Sequence, residues 1–502
     1  MPILDEVRIT ELPGADPLAG PELIPLVQSG VTKSRSAQNL VLDGGLQAHL
    51  DAADPHTQYL KESEYEAHRR SREDLLKQAT LSLDFANNKY EVYEGPVNSL
   101  TQMPFNEALD YTRGSGATAR TATGKIQGVL TDEQRLVGNR EGLLIEEQRT
   151  NVITRSQPTV ADNYWQVVTD TTLSNVTLAG LPALRVTRDV EVGELSAVLS
   201  SPQGNESNTC VRTCVVKVSD PQNQYLKLRI CKGSEYDSNF HVTFDLSSEE
   251  AVFRAGWNRL DGLLDIKKLS PGVFSLIVTQ SSTRTDNNQW IFKLSSKASA
   301  SDFTLDDNPQ GSWFEFTACQ REELVDFPTS YIPTAGTQVT RAADDCVRTL
   351  GDEFNPEEGT LYAEAQYLNS NTTAGGAYGL TDGTSSQRML VVFEPSGAAG
   401  GSSDFITAII TDANSVAATI PSSVNAVASG FHKVAISYNS TSFTFAVDGV
   451  IVGTASHAGV PTVDRIDGQG GTIGNNGTLT KDLYLFPTAL SDAELTTLTG
   501  GT

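Results

Sequence analysis

Short runs of alternating apolar and polar residues, separated by turn residues, recur through most of this chain and limit the folds open to it. Five such runs are Thr213–Val218, Leu226–Ile230, Phe274–Val278, Phe405–Ile410 and His432–Tyr438. Alternation with a period of two places successive side chains on opposite faces of a β-strand. The chain also has 41 Gly and 21 Pro, which favour turns between short strands. We therefore expect a mainly β protein built from β-sandwich or jelly-roll domains.

The 502 residues exceed what one compact core can hold, so several units are expected. The strand runs form two groups, 152–346 and 347–502, and the spacing within each group is typical of a β-sandwich. The Gly- and Thr-rich region 81–151 is expected to be a β-rich linker with a hairpin. We expect a connector with a helical neck at 46–80 and an extended attachment segment at 1–45, which is too interrupted by Pro and Gly to fold alone.

The one strong helical pattern is Lys61–Ala79, which has no Gly or Pro and places acidic residues early and basic residues late, as the helix dipole favours. Its apolar stripe is thin, so one copy could hardly bury a face. Three copies around an axis could form a short coiled-coil-like neck. A helix that lies on a neighbouring domain would explain the same residues.

The net charge of −25 and the pI near 4.6 argue against nucleic acid and anionic lipid surfaces as partners, because both need an excess of Lys and Arg. The five cysteines lack metal-site spacing and a complete disulfide framework, which favours synthesis in a reducing cytoplasm. Neither a signal peptide nor an apolar run long enough to span a membrane is expected.

Two phrases resemble recurring sequences in tail-fibre and minor tail proteins of tailed bacteriophages: GLLIEEQRTN at Gly142–Asn151 and PTSYIPTAGTQVTRAAD at Pro328–Asp344. The segment ITELPGADPLAGPELIPLVQSGVTKSRSAQNL resembles the N-terminal attachment region of phage fibres. Residues 152–346 are similar in pattern to non-catalytic carbohydrate-binding modules. The C-terminal order of strands, ending in ALSDAEL, resembles laminin-G-like and concanavalin-like lectin domains, with Ser491 as a helix cap and Glu494 at the capping-box position.

The resemblance implies a virion protein of the phage tail, made in the host cytoplasm and assembled as a homotrimer. Residues 1–45 would bind tail or baseplate proteins, and the sandwiches would bind a host-surface receptor, expected to be a glycan. In the connector, His49 and His56 would lie near the trimer axis, where they could bind a metal or anion or act as packed residues at a bend. Two alternatives stay open: a polysaccharide depolymerase of the tail-spike type, and a purely structural tail component.

Candidate ligand-binding residues come from turn-rich sequence in both sandwiches. Trp257 and Trp290 are next to turn residues and could stack on sugar rings, whereas Trp313 in the alternating WFEF run is expected in the core. In the C-terminal sandwich the candidates are the polar loop residues Asp464, Asp467, Asn475 and Asn476. The two aspartates could hold calcium, but aspartates in a Gly-rich loop more often form turns, so no cofactor is expected.

No sequence motif of a hydrolase or of a nucleotide-binding site is present. Glu146 and Glu147 are adjacent in a predicted strand, so their side chains should point to opposite faces. They then could not form the pair of carboxyls that a glycosidase requires. We therefore expect a structural role for Glu146 and Glu147, and a binding protein rather than an enzyme.

Overall fold

A computed structural model describes the ranges that follow: 23–28, 31–36, 71–94, 100–138, 140–161, 164–167, 171–189, 196–199, 205–206, 210–232, 235–253, 264–280, 284–296, 309–325, 327–368, 375–394, 405–413, 415–425, 430–468 and 477–500. The chain divides into two compact units, Met1–Ser71 and Arg72–Thr502. In the first unit, β1 (Leu23–Gln28) pairs antiparallel with β2 (Val31–Ser36). His49, His56 and the first ten residues of the predicted helix lie outside the described ranges.

The remaining described elements, in chain order, are α1 (71–76), β3 (Leu81–Asp84), β4 (Lys89–Tyr93), β5 (Leu100–Met103), α2 (Phe105–Ala108), β6 (Asp110–Thr112), β7 (Ala117–Arg120), β8 (Ile126–Val129), β9 (Leu136–Val137), β10 (Gly142–Ile145), β11 (Arg149–Asn151), β12 (Trp165–Val167), β13 (Thr171–Leu178), β14 (Leu181–Arg188), β15 (Ser196–Leu199), β16 (Asn205–Glu206), β17 (Cys210–Val218), β18 (Tyr225–Lys232), β19 (Glu235–Asp245), β20 (Glu250–Phe253), β21 (Leu264–Ser270), β22 (Val273–Gln280), β23 (Arg284–Ser295), β24 (Trp313–Glu323), β25 (Val339–Arg341), β26 (Asp345–Thr349), β27 (Gly359–Tyr367), β28 (Gly375–Thr381), β29 (Arg388–Glu394), β30 (Phe405–Asp412), β31 (Ser415–Asn425), β32 (His432–Tyr438), β33 (Ser442–Val447), β34 (Val450–Ser456), β35 (Arg465–Asp467), β36 (Thr478–Phe486) and α3 (Asp492–Thr499).

The two large sheets that contain the C-terminal strands form a β-sandwich, which we call the outer sandwich. One described sheet has the strand order β34-β33-β32-β27-β36-β3-β4-β5, with β10 paired to β36 and to β9. The other has the order β31-β30-β29-β28-β35-β26-β6. Apolar side chains from both sheets form one core, for example Leu361 and Leu485 from the first sheet with Val391 and Ile406 from the second. Burial of such alternating apolar faces is what holds two sheets together.

Strands from 81–151 are integral parts of the outer sandwich, which differs from the linker predicted for this region. β3 pairs with β36 through Leu81↔Leu485, and β10 pairs with β36 through Leu143↔Thr480. β6 pairs with β26 in the other sheet. Local alternation cannot reveal such pairings, because the partners are more than 200 residues apart along the chain. The outer sandwich therefore consists of two chain segments that are far apart in sequence.

A second β-sandwich, which we call the inserted sandwich, lies between those two segments in the chain. Its described sheets have the orders β13-β14-β24-β17-β22-β21 and β12-β15-β23-β18-β19-β20, with β16 also paired to β23. Val216 and Phe316 of the first sheet share a core with Leu228 and Phe292 of the second. The predicted mainly β fold with two sandwich domains is thus confirmed.

The strands that lead into and out of the inserted sandwich pair with each other. β11 and β25 are antiparallel partners, with Arg149 opposite Arg341 and Asn151 opposite Val339. β11 lies in the first sequence phrase and β25 in the second. The two phrases, nearly 200 residues apart in the chain, are therefore neighbours in space.

The outer face of the ten-stranded sheet is covered by the helices α1 and α3. Leu75 from α1 and Leu495 from α3 are buried with Tyr362 on that face. The predicted cap of α3 is confirmed, because Ser491 accepts a hydrogen bond from the backbone N–H of Glu494 and the capping box is complete. Within the described ranges, no helix is long and apolar enough to cross a membrane.

Candidate functional site

A cluster of buried charges lies where the chain passes between the two sandwiches. We call Arg113, Arg135, Glu146, Arg341 and Asp344 the junction network. None of these side chains reaches the surface, and Glu146, the most exposed of the five residues, is 4% exposed. Glu146 follows β10, Arg341 ends β25, and Asp344 directly precedes β26. The network therefore unites residues of both sequence phrases with arginines from the first segment of the outer sandwich.

Carboxylates and guanidinium groups alternate in the junction network. Arg135 and Arg341 donate to the same Glu146 oxygen, Oε2, at 2.5 and 2.7 Å. Arg135 also donates to Asp344, and Arg113 donates to Asp344 Oδ1 at 3.2 Å. The backbone N–H of Glu146 donates to Asp344 Oδ2 at 2.7 Å. Each buried charge thus has an opposite charge beside it, as burial requires.

The electrostatics of Glu146 fit a fixed structural anion. Burial by itself would raise the pKa of this carboxyl, but the charges of Arg341 and Arg135 outweigh burial and lower the pKa to about 2. Two bonds donated by Ser330, from its N–H at 2.8 Å and its hydroxyl at 2.7 Å, hold the same carboxylate. A carboxylate held in this way is a poor proton donor or acceptor near neutral pH. Glu147, next in sequence, pairs instead with Arg149.

A cleft of about 260 Å³ lies beside the junction network, between the β7–β8 hairpin and the six-stranded sheet of the inserted sandwich. Its walls are largely apolar and include Ile126 and Ile277. At its rim, Arg120 donates to both carboxylate oxygens of Glu141, at 2.8 and 2.6 Å, while Lys267 is exposed. The Arg120–Glu141 ion pair is therefore satisfied within the protein, and the largely apolar walls are a poor match for a hydroxyl-rich ligand.

A second cavity, of about 640 Å³, is lined by uncharged side chains. We call it the carboxamide groove, and its lining residues are Asn88, Gln102, Asn106, Gln134, Tyr90, Met103, Pro104 and Phe105. The first four are side-chain amides, supplied by the β3–β4 turn, by β5, by α2 and by the segment before β9. The volume lies in the range of ligand pockets, roughly 300–1,000 Å³.

The amides of the carboxamide groove are free to bind a ligand. The side chains of Gln102, Asn106 and Gln134 make no hydrogen bond within the part of the chain that the structure describes. Asn88 accepts one bond from the Tyr90 hydroxyl at 2.9 Å, which leaves its NH₂ group available. Each primary amide carries two donor hydrogens and an acceptor oxygen. The groove therefore presents many donors and acceptors at short range.

A rigid aromatic cluster lies behind the carboxamide groove. The rings of Tyr90 and Phe105 meet edge to face with centroids 5.4 Å apart, and Phe85 and Tyr111 pack against Phe105 at 6.3 and 6.2 Å. Asn88 has a φ of 54°, a left-handed conformation that Asn tolerates in turns. These packed rings form an apolar wall behind the amides of the groove.

Two tryptophans, Trp290 and Trp313, differ in burial from what the sequence predicts. Trp290, predicted as a sugar-stacking residue, is 1% exposed and packs against Phe292 in the core of the inserted sandwich, so that prediction is wrong. Trp313, predicted in the core, is only half-buried. The Arg185 guanidinium lies over its ring at 4.2 Å. Trp257 lies outside the described residues.

The two polar-loop candidates of the outer sandwich that the structure describes, Asp464 and Asp467, lie in different environments. Asp464 is exposed and ion-paired with Arg465 at 2.8 Å, whereas Asp467 is buried at the end of β35. Asn475 and Asn476 lie outside the described residues. Among the residues that are described, no three His, Cys, Asp or Glu side chains are grouped so as to hold a metal ion.

Sequence reasoning missed the carboxamide groove because its residues belong to 81–151, which was taken for a linker. The sequence feature that could have indicated the groove is its composition, because Asn88, Gln102, Asn106 and Gln134 are uncharged amides in a strongly acidic chain. The pairing of β3, β4 and β5 brings Asn88 and Gln102 into one surface, and α2, which directly follows β5, adds Asn106.

No protein-family model matches this chain, and no curated protein matches its sequence. Similar solved structures include the carbohydrate-binding module CBM40 of the Ruminococcus gnavus IT-sialidase bound to α2,3-sialyllactose. It is 16% identical with a TM-score of 0.24, over 29% of this chain and 84% of that one.

Two further similar structures cover smaller parts of their own chains. The leech intramolecular trans-sialidase, in complex with 2,7-anhydro-Neu5Ac, is 18% identical with a TM-score of 0.24, over 30% of this chain and 24% of that one. The binding domain of botulinum neurotoxin DC, in complex with SialylT, is 15% identical with a TM-score of 0.24, over 31% and 39%. Likeness at this level gives no basis for assigning a ligand or an activity to this chain.

Proposed function

We propose that this protein is a bacteriophage tail-fibre component that binds a glycan on the host surface through the carboxamide groove, without catalysing a reaction. The observation that carries the binding part is the groove itself: a cavity of about 640 Å³ whose side-chain amides have unused donors and acceptors. Sugar hydroxyls need both kinds of partner at short spacing.

The resemblance of Gly142–Asn151 and Pro328–Asp344 to phrases of phage fibres supports the virion part of the proposal. In this structure the phrases pair through β11 and β25 and supply Glu146, Arg341 and Asp344 to the junction network. They therefore serve to join two sandwiches, a role that suits a recurring module. In our proposal, residues 1–45 attach the protein to the tail, and residues 46–80 assemble it as a homotrimer.

A glycan array tests the binding part directly. We expect the purified full-length protein to bind at least one class of bacterial surface glycan, and to keep that affinity in EDTA because no metal is needed. Pre-incubation of host cells with the protein should reduce adsorption of the phage. The absence of binding to every bacterial surface glycan on the array, together with unchanged adsorption, would refute a receptor-binding role.

The oligomeric state tests the fibre part separately. Light scattering on the full-length protein should give the mass of a trimer, about three times the chain mass of 53.9 kDa. A monodisperse monomer would contradict a fibre assembled through its N-terminal segments.

A further inference from the structure

We infer that the carboxamide groove selects an uncharged saccharide over an anionic one. This inference rests on the proposed glycan-binding function and specifies the ligand class. It follows from the chemistry of the groove lining, from the charge around the groove and from its apolar floor.

None of the described residues that line the carboxamide groove carries a charge. Carboxamides pair well with hydroxyl and acetamido groups, because each partner can both donate and accept a hydrogen bond. They give a carboxylate or sulfate only neutral donors, whereas strong recognition of an anion uses the charged donors of Arg or Lys. The lining therefore matches the functional groups of a neutral sugar.

The charged residues next to the carboxamide groove in sequence give an anion no counter-charge. Lys89, next to Asn88, is ion-paired with Glu91 at 2.8 Å. Glu107 follows Asn106 and Glu133 precedes Gln134. Arg135, which follows Gln134, is buried and ion-paired with Glu146 and Asp344. The chain as a whole has a net charge of −25, which repels anionic glycans during approach. An acidic polysaccharide would lose hydration at this site without a compensating ion pair.

The groove also has an apolar surface for a sugar ring. Met103, Pro104 and Phe105 lie in sequence between the amides of Gln102 and Asn106, and all five residues line the groove. The C–H faces of a pyranose can pack on such a surface while its hydroxyls contact the amides.

The test compares neutral and anionic oligosaccharides of similar length with the full-length protein by titration calorimetry. We expect the neutral glycans to bind with an affinity that changes little with ionic strength, since no ion pair is formed. Replacement of two of the exposed amides, Gln102→Ala with Asn106→Ala, should weaken this binding by about tenfold or more. The matched control Gln127→Ala removes an exposed strand amide outside the groove and should leave the affinity unchanged.

A charge introduced at the groove gives a second readout. Asn106→Lys should give the protein a measurable, salt-sensitive affinity for anionic glycans that the wild type lacks. Tight anionic binding by the wild type that is lost in the Gln102→Ala, Asn106→Ala variant would overturn the inference and leave the proposed function intact. Neutral binding that is insensitive to both alanine substitutions would overturn the groove as the site. Failure to bind any glycan would overturn the proposed function itself.

Discussion

Replacement of Glu146 by Gln tests whether the junction network stabilises the attachment of the inserted sandwich. The change keeps the size of the side chain but removes the negative charge that Arg135 and Arg341 share. A carboxyl whose pKa falls from its ordinary 4.5 to about 2 stabilises the folded state by about 3 kcal/mol at neutral pH. Removal of one partner from a buried ion pair costs about 3–5 kcal/mol. Both estimates predict that the free energy of unfolding falls by at least about 3 kcal/mol.

The assay is chemical denaturation followed by tryptophan fluorescence, over a series of pH values. All four tryptophans lie within 152–346, so fluorescence reports the inserted sandwich, and circular dichroism reports both sandwiches. Because the folded-state pKa of Glu146 is lowered, its stabilisation is present above its ordinary pKa and is lost as the pH falls towards about 2. The wild type and Glu146→Gln should therefore converge in stability at acid pH.

The control for this prediction is Glu147→Gln, which changes the neighbouring, half-buried carboxylate that pairs with Arg149 outside the junction network. This variant should lose about 1 kcal/mol or less, as a more exposed pair does. The reasoning is refuted if Glu146→Gln costs less than about 1 kcal/mol at neutral pH. A stability difference between the wild type and Glu146→Gln that does not shrink on acidification would also contradict the reasoning.

Three further predictions follow from buried or capping groups. The Cys214 and Cys319 sulfurs lie 3.3 Å apart as free, buried thiols, and burial raises the Cys319 pKa. A maleimide reagent should therefore label neither thiol until the protein unfolds. Labelling of the native protein would count against this packing. Ser491→Ala removes the cap of α3 and should cost about 1 kcal/mol in urea denaturation, whereas an unchanged midpoint would show that the cap is dispensable. Burial raises the pKa of Asp482 to about 7, so the folded state binds a proton more tightly than the unfolded state, and wild-type stability falls as the pH rises through that value. Asp482→Asn should then be more stable than the wild type at about pH 8 and not at about pH 4, which thermal melts at both pH values can check.

Features set by local sequence were predicted well. Ser491 and Glu494 form the capping box that their spacing indicated. Asp448 and Gly449 have φ values of 47° and 81° and make the two-residue loop between β33 and β34, a turn that an Asp-Gly pair favours. These features depend on residues within a few positions of each other, so no tertiary information was needed.

Predictions that depended on which strands would pair were less successful. The sequence could not show that β3 joins β36, and so a region that carries the candidate site was taken for a linker. The sequence also could not show which of Trp290 and Trp313 would be more buried, because the alternation of a strand does not say which of its faces will meet the other sheet. Trp290 proved to be core, and Trp313 half-buried under Arg185.

By itself, the sequence determined the fold class. A period of two between apolar residues, together with abundant turn residues, favours strands that pack as stacked β-sheets. The tertiary structure alone decided that one sandwich is inserted into the other. It alone made Glu146 a buried partner of two arginines and collected Asn88, Gln102, Asn106 and Gln134 around one groove. The physical reason is that strand pairing joins residues hundreds of positions apart, and such pairing is selected by the burial of whole faces rather than by any local pattern.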